Sequence, residues 1–472
     1  MTRFNFKLFV FIFVFSILPS CFWASASRNI NELETENPIC IDVSDDGLVV
    51  IYDHLSQIAF IAPEVFDKNN QFHPFEKSDL SAQAHWIVRL SGDEKILLKS
   101  NVDLLDSSLH VNYELTPENS VEMGLVQTGI SFQYDDWAGC SYRLGTREGI
   151  VPQAPISDNN LIYSNSDFLS LGPSKVLDGL NALLVVNGLY TDIWNIRKRS
   201  GFLKVYLTHG EDWGRPWKWD RGETKHFDFQ VTFNNRKMVL LSDLLAKLKP
   251  NKPTLKPNEL TPEQMAWGEN QLKRMLRDRP AMVPYVKKGD DLWNWMVRQF
   301  AGEYVGGGIW WDARSPEPLW NSFFYGAGNG KKAHIQVTDK FYEGWKYNWG
   351  KPKTAPNLWF GAFYEIFNII YDGLDEKLDV QAIEGKIDRQ HYILSKMLIE
   401  NITDETALEF FHKVWVPHCL KYHLPYEDEY LTYDYGKEMM GLPDIEVFKR
   451  EFRPDDFHYK FFSNEYDRIT KK

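Results

Sequence analysis

Leu248 to Pro262 reads LKPNKPTLKPNELTP, four prolines and three lysines in fifteen residues. Proline fixes φ and removes a backbone donor, so such a run favours extended chain over helix or ladder. The hydrophobic period changes across it. On the N-terminal side Phe227, Phe229, Val231 and Phe233 alternate with Asp228, Gln230 and Thr232, the period of a strand with one buried face. On the C-terminal side Thr261-Pro262-Glu263 is a helix start, with threonine as cap and proline in the first turn. The chain is therefore read as multidomain α and β. An N-terminal antiparallel β-sandwich over 27–247 and a linker over 248–262 precede a mainly α-helical domain over 263–472.

Working outward, Gly47 to Tyr52, Leu183 to Val186 and Phe202 to Leu207 are further short strands. Ser44-Asp45-Asp46-Gly47, Asn187-Gly188 and Gly210 to Gly214 are turn signals between strands. No long helical pattern intrudes before about Ser242. In the second half, Met265 to Arg277, Leu292 to Phe300, Pro356 to Tyr371, Val380 to Ile399 and Glu405 to Val414 read as helices. Gly373 marks the expected end of the third. Between Gly306 and Trp349 lies a Gly-, Trp- and Asn-rich stretch with short extended pieces such as Ala333 to Val337. Long irregular segments inside compact domains often carry function.

The N-terminus reads as a secretory leader over 1–26. Arg3 and Lys7 precede the apolar run Leu8 to Leu18, and Ala24-Ser25-Ala26 supplies small residues for cleavage. The alternative is a lipoprotein anchored at Cys21, although Pro19 suits that signal poorly. No later stretch has 18 uninterrupted apolar residues, so no transmembrane segment is expected after cleavage. The expected location is extracytoplasmic, periplasmic or secreted. Net charge is −12, and losing Arg3 and Lys7 makes it more negative. Such a surface repels phosphate backbones, so nucleic acid is not an expected partner.

After cleavage three cysteines remain: Cys40, Cys140 and Cys419. Cys40 and Cys140 either bridge or join Cys419 as small buried side chains. There is no CxxC and no HExxH, and His412, His418 and His423 do not share a helical face. Neither a metal nor a cofactor is expected.

Thirteen of the 17 tryptophans fall between Trp194 and Trp359. Part of that density is core packing, but in an exported protein it also suits stacking on pyranose rings. Three groups stand out. The helix PNLWFGAFYEIFNIIYD (356–372) is apolar nearly all round. Its Gly361, Glu365, Asn368 and Asp372 fall on one stripe. A carboxylate in that setting has a raised pKa unless it is paired. It then serves as a general acid or base or as half of an ion pair with Arg298 or Arg279. Second, Gly306-Gly307-Gly308 leads into Trp310, Trp311 and Asp312, which either face a ligand or enter a buried strand with Asp312 on Arg314. His334 would complete a site with Glu365 and Asp312, with Glu365 at the bottom of a pocket close to Asp312 or His334. Third, Gly210 to Asp220 carries Trp213, Trp217 and Trp219 among acids, a carbohydrate-binding loop or a Trp-anchored structural one.

The run Asp192-Ile193-Trp194-Asn195-Ile196-Arg197, then Phe202 to Leu207, then Gly222-Glu223-Thr224 into Phe227 to Phe233 resembles the galactose-mutarotase-like sandwiches. These recur as modules of carbohydrate-active enzymes. The resemblance implies a carbohydrate context and transfers no catalytic residue. Arg279-Pro280-Ala281-Met282, Trp311-Asp312 and Glu365-Ile366-Phe367-Asn368 resemble domains of uncharacterised exported bacterial proteins, to which no activity attaches. The functional expectation is an exported glycan-related protein, a hydrolase or lyase acting on polysaccharide. Glu365, Asp312 and His334 would be catalytic. Trp310, Trp311, Asn368, Trp213, Trp217 and Trp219 would bind carbohydrate or cell-envelope glycan. The alternative is a non-enzymatic glycan- or envelope-binding protein with the helical domain as scaffold.

Overall fold

The computed structural model describes residues 38–44, 48–77, 86–90, 94–153, 162–164, 168–186, 194–199, 202–209, 215–304, 307–314, 322–326, 332–340, 352–426 and 442–471. The leader at 1–26, Cys21 and Trp213 lie outside them. The chain divides into two compact units, Met1–Val239 and Leu240–Lys472.

The first unit is built of two large sheets. In one, the long strand Val121–Gln133 lies between Ser56–Asp67 and Phe202–His209, antiparallel to both. In the other, Lys225–Phe233 lies between Ala182–Val186 and Ser108–Pro117, again antiparallel to both. Along Lys225–Phe233 the buried positions are Phe227, Phe229, Val231 and Phe233, as the period-two pattern requires. They share one core with Ile61, Val65, Val126, Ile130 and Phe132 of the other sheet, so the unit is a sandwich. One four-residue helix, α1 (Tyr134–Trp137), follows the central strand. Cys40, Cys140 and Cys419 are all buried and free. The Gly210 to Asp220 stretch is not loop throughout. Trp217–Trp219 forms a strand against Val121–Met123, because alternating Trp217 and Trp219 suit an edge pairing.

The second unit contains α2 (Leu241–Leu248), α3 (Pro262–Asp278), α4 (Asp291–Ala301), α5 (Ala355–Ile383) and α6 (Arg389–Phe410). It continues with α7 (Val416–Lys421), α8 (Asp444–Glu451) and α9 (Phe457–Thr470). Residues 249–261 form no regular element. Lys249 Nζ reaches Glu405 at 2.7 Å and Asp444 at 2.9 Å, and the Asn258 amide donates to the Glu303 carbonyl. Thr261 caps α3 in a full capping box with Gln264. The Gly/Trp-rich stretch holds a three-stranded sheet. Ile309–Trp311 runs parallel to Ala333–Val337, which is antiparallel to Ser322–Tyr325.

Three helix boundaries differ from the sequence reading: the end at Tyr371, the start at Val380, which falls inside α5, and the gap over 400–404. α5 passes through Gly373 and ends at Ile383. A mid-helix glycine costs about 1 kcal/mol. Leu378 and Ala382 oppose that cost by packing with Tyr392, Ile393, Met397 and Phe462. The turn comes at Gly385, φ +69°, and Asp388 caps α6. α6 in turn runs unbroken across 400–404, where the sequence suggests a gap. Thr403 Oγ1 bonds back to the Ile399 carbonyl at 3.2 Å, a contact that competes with the ladder without ending it. A wide π turn, Phe411–Trp415, precedes Pro417 in α7, as expected where proline removes a donor. Among the described residues no helix is long and apolar enough to cross a membrane.

Candidate active site

The small sheet sorts its side chains by alternation. Ile309, Trp311, Ala333, Ile335 and Val337 are buried in one core with Leu358, Trp359, Ala362, Phe363, Ile366 and Phe367 of α5. Trp310 and His334 are register partners on the opposite face. The Trp310 ring, 37% exposed, lies 5.7 Å from the His334 ring. Gly307 and Gly308 enter the strand at φ +115° and +82°, a conformation that favours glycine.

Asp312 follows Trp311 and is buried. Arg314 Nε donates to both its oxygens, at 3.1 and 2.8 Å, and Gln336 Nε2 donates to Oδ2 at 2.7 Å. Burial opposes the carboxylate, but the Arg314 and Gln336 hydrogen bonds prevail and hold it at about 2. Asp312 is therefore ionised near neutrality. His334 Nε2 lies 4.0 Å from Asp312 Oδ2. Burial holds the imidazole below its ordinary value, and the Asp312 charge only partly compensates. Trp311 is wholly interior. Its Nε1 donates to Asp278 at 3.0 Å, its amide donates to Gln271, and the Arg279 guanidinium lies over its ring.

Glu365 is buried on α5 and accepts from Asn368 Nδ2 at 3.2 Å. The cation on which the Glu365 charge acts is Lys353. Burial pulls Lys353 down to about 7, with the Glu365 charge acting in the other direction. Arg298 is committed to Glu303 at 2.7 Å, and Arg279 to the Val337 carbonyl at 2.7 Å. Asp372, further along the stripe, lies against Gly326, where a Cβ would meet its Oδ1 at 3.0 Å. α5 packs on the core face of the small sheet, whereas Trp310, His334 and the Asp312 cluster occupy the other. Glu365 and Asp312 thus stand in different layers, and the structure groups Asp312 with His334.

A second group was not anticipated. Lys396, Glu400 and Asp404 recur every four residues along one face of α6. Lys396 is buried and meets Asp375 at 3.2 Å, Asp379 at 3.0 Å and Glu465 at 3.6 Å. Burial works against its charge, but the three acids outweigh burial and raise it. Tyr364 of α5 donates its hydroxyl to Glu400 Oε2 at 2.6 Å. Burial, then the charges of Glu400 and Glu451, push Asp404 well above the usual carboxylate range. Asp375 is likewise pushed to about 7, by burial first, with Lys396 opposing. His458 Nδ1 pairs with Glu451 at 2.8 Å. Burial disfavours the imidazolium, but Glu451 and then Glu400 lift it to about 9. The missed signal was the four-residue spacing. A helix ending at Ile399 and another beginning at Glu405 leave Glu400 and Asp404 in neither.

One donor atom each from Glu451, Asp456 and His458 lies within 4.8 Å of the others. Asp456 also caps α9 and Glu451 holds His458. In the sandwich unit, Trp219 is fully buried and donates to the Glu223 carbonyl at 2.7 Å. Trp217 is partly buried, 5.5 Å from Trp219. His418 is a buried structural group on the Tyr285 carbonyl.

No family model and no curated protein matches the chain. Among solved structures it resembles a galactose mutarotase related enzyme from Lactobacillus acidophilus. The identity is 10% and the TM-score 0.28, over 42% of this chain and 95% of that one. It is also similar to a GH36 alpha-galactosidase from Geobacillus stearothermophilus, at 9% identity and TM-score 0.25, over 69% of this chain and 56% of that one. An alpha-galactosidase from Lactobacillus brevis is 12% identical with TM-score 0.21, over 45% of this chain and 36% of that one. At these values the likeness carries no site residue across.

Proposed function

We propose that this chain is an exported hydrolase or lyase acting on glycan, with its acid and base drawn from the carboxylates of the helical unit. The observation that supports this is the Glu400 cluster: Tyr364 donates to Glu400 Oε2 at 2.6 Å, with Asp404 one turn further along α6. A carboxyl whose proton affinity is raised suits the acid role, and a neighbouring carboxyl oriented by a hydroxyl donor suits the complementary one. Asp404, whose proton affinity is raised by burial and by Glu400, is the acid. It gives its proton to the leaving oxygen of a glycosidic bond. Glu400, oriented by Tyr364, takes the complementary role on water or on a ring proton.

The test is release of reducing or unsaturated ends from a panel of polysaccharides. Asp404→Asn and Glu400→Gln should each lower the rate about a hundredfold or more, with unchanged circular dichroism. Full activity in both variants refutes the assignment. A second reading, glycan binding without turnover, is supported by the exposed Trp310 ring beside His334. Under that reading Trp310→Ala loses glycan binding while no glycan is cleaved by the wild type.

A further inference from the structure

The outer face of the sheet that contains Val121–Gln133 holds a polar group that the helical-unit reading does not use. On the strand Val121–Gln133, Val126, Ile130 and Phe132 point into the sandwich core. Alternation then places Gln127, Gly129 and Ser131 on the outer face. Residues there are ordinarily solvated, yet Gln127 is 0% exposed and Ser131 2%. Glu64 and Thr208 are the register partners of Gln127, and Ala62 and Tyr206 are those of Gly129. Glu64 Oε2 accepts from Gln127 Nε2 at 2.5 Å, and its Oε1 accepts from Lys204 Nζ at 2.9 Å and the Tyr206 hydroxyl at 3.1 Å. Lys204 Nζ also lies 5.4 Å from the Tyr206 ring centre.

Gln127 Oε1 is buried without a hydrogen-bond partner. An orphaned buried acceptor costs about 1–3 kcal/mol, and stability alone would favour an apolar residue of similar volume. The side-chain layer is thin beside it. A Cβ on Gly129 would meet the Val205 carbonyl at 1.8 Å and Tyr206 Cα at 2.8 Å, so no side chain fits. Ala62 beside it adds one methyl. Solvent reaches the group through Glu64 and Lys204, whose side chains are 15% and 12% exposed.

We infer that Glu64, Gln127, Lys204 and Tyr206 form a binding site for a neutral polyhydroxyl ligand, a sugar hydroxyl edge being the chemistry that suits them. The chemistry matches at each atom. Gln127 Oε1 needs a donor, which a hydroxyl supplies. Glu64 accepts a second hydroxyl, Lys204 donates a further proton to a hydroxyl oxygen, and the Tyr206 oxygen, whose proton goes to Glu64, accepts from another hydroxyl. Glu64 neutralises Lys204, so the site has no net positive charge to select an anion. It belongs to the sandwich unit and the Glu400 cluster to the helical one, and neither assignment depends on the other.

The test is calorimetric titration of the full chain with glucose, galactose and mannose, with inorganic phosphate as the anionic control. At least one hexose should bind saturably and phosphate should not. Gln127→Leu and Tyr206→Phe should each raise Kd about tenfold, the scale of one hydrogen bond lost. Asp404→Asn should bind as the wild type does, which separates this site from the acid/base reading. If Gln127→Leu does not fold, Tyr206→Phe decides, since it removes one oxygen. The proposal is overturned if no hexose binds, or if the folded variants bind as tightly as the wild type. It is also overturned if phosphate alone binds.

Discussion

At the scale of single residues, buried charge decides what each candidate can do. The Glu365 charge acts on Lys353, and Lys353 is held at about 7 by burial. Below that value Lys353 is charged and the Glu365 charge favours it, so removing Glu365 leaves a buried cation with less compensation. Glu365→Gln should therefore cost about 1–3 kcal/mol at pH 6 and less at pH 9, where Lys353 is neutral. Denaturant titration at both values checks this; an equal cost at both removes Lys353 as the partner. His458 behaves in the opposite sense. Its value is raised from 6.5 to about 9, chiefly by Glu451 against the effect of burial. A raised folded value means the stabilisation is complete below 6.5 and is lost as pH rises through 9. The pair should contribute on the order of 2 kcal/mol. His458→Gln should lower stability at pH 6 and leave it nearly unchanged at pH 10. Lys353 contributes with the other sign, so the comparison is with wild type at each pH.

At the scale of elements, the two glycines of the α5–α6 hairpin are a matched pair. Gly373 is exposed in mid-helix with open space around a would-be Cβ, so Gly373→Ala should stabilise by about 0.5–1 kcal/mol. Gly385 also has open space but sits at φ +69°, so Gly385→Ala should destabilise by about 1 kcal/mol. Thermal melts of the two variants should move in opposite directions. Equal shifts would mean that Gly373 rather than Gly385 ends the helix. The caps at Thr261 and the alternation in Phe227–Phe233 were legible because each depends on neighbours in sequence. The end of α5 was not, because Leu378 and Ala382 are anchored by Phe462 of α9, distant in the chain.

At the scale of the whole molecule, each unit has its own core. Residues 38–239 expressed alone should keep the near-ultraviolet signature of packed aromatics, and residues 240–472 likewise. Proteases should cut within the proline-rich run 250–258. If either half is unfolded when separated, the cores are not independent. α2 bears on where to divide the chain. It precedes the proline-rich run in sequence but packs with the helical unit, where Lys249 at its end meets Glu405 and Asp444.

The sequence by itself determined the succession of a β-rich and a helical half, the position of the proline-rich run, and the helix that buries Glu365. These follow from period, capping and proline chemistry, all local in the chain. Only the tertiary structure decided partners. It matched Glu365 with Lys353, placed Asp312 under Arg314 and Gln336, and sent Trp219 and Trp311 into cores. It gathered Glu400 and Asp404 with Tyr364, Glu451 and His458 from four helices, and Gln127 with Glu64 and Lys204 from three strands. The physical reason is that a carboxylate's proton affinity and an amide's satisfaction depend on burial and on charges within a few ångströms. Which groups come that close is settled by packing between segments far apart in sequence.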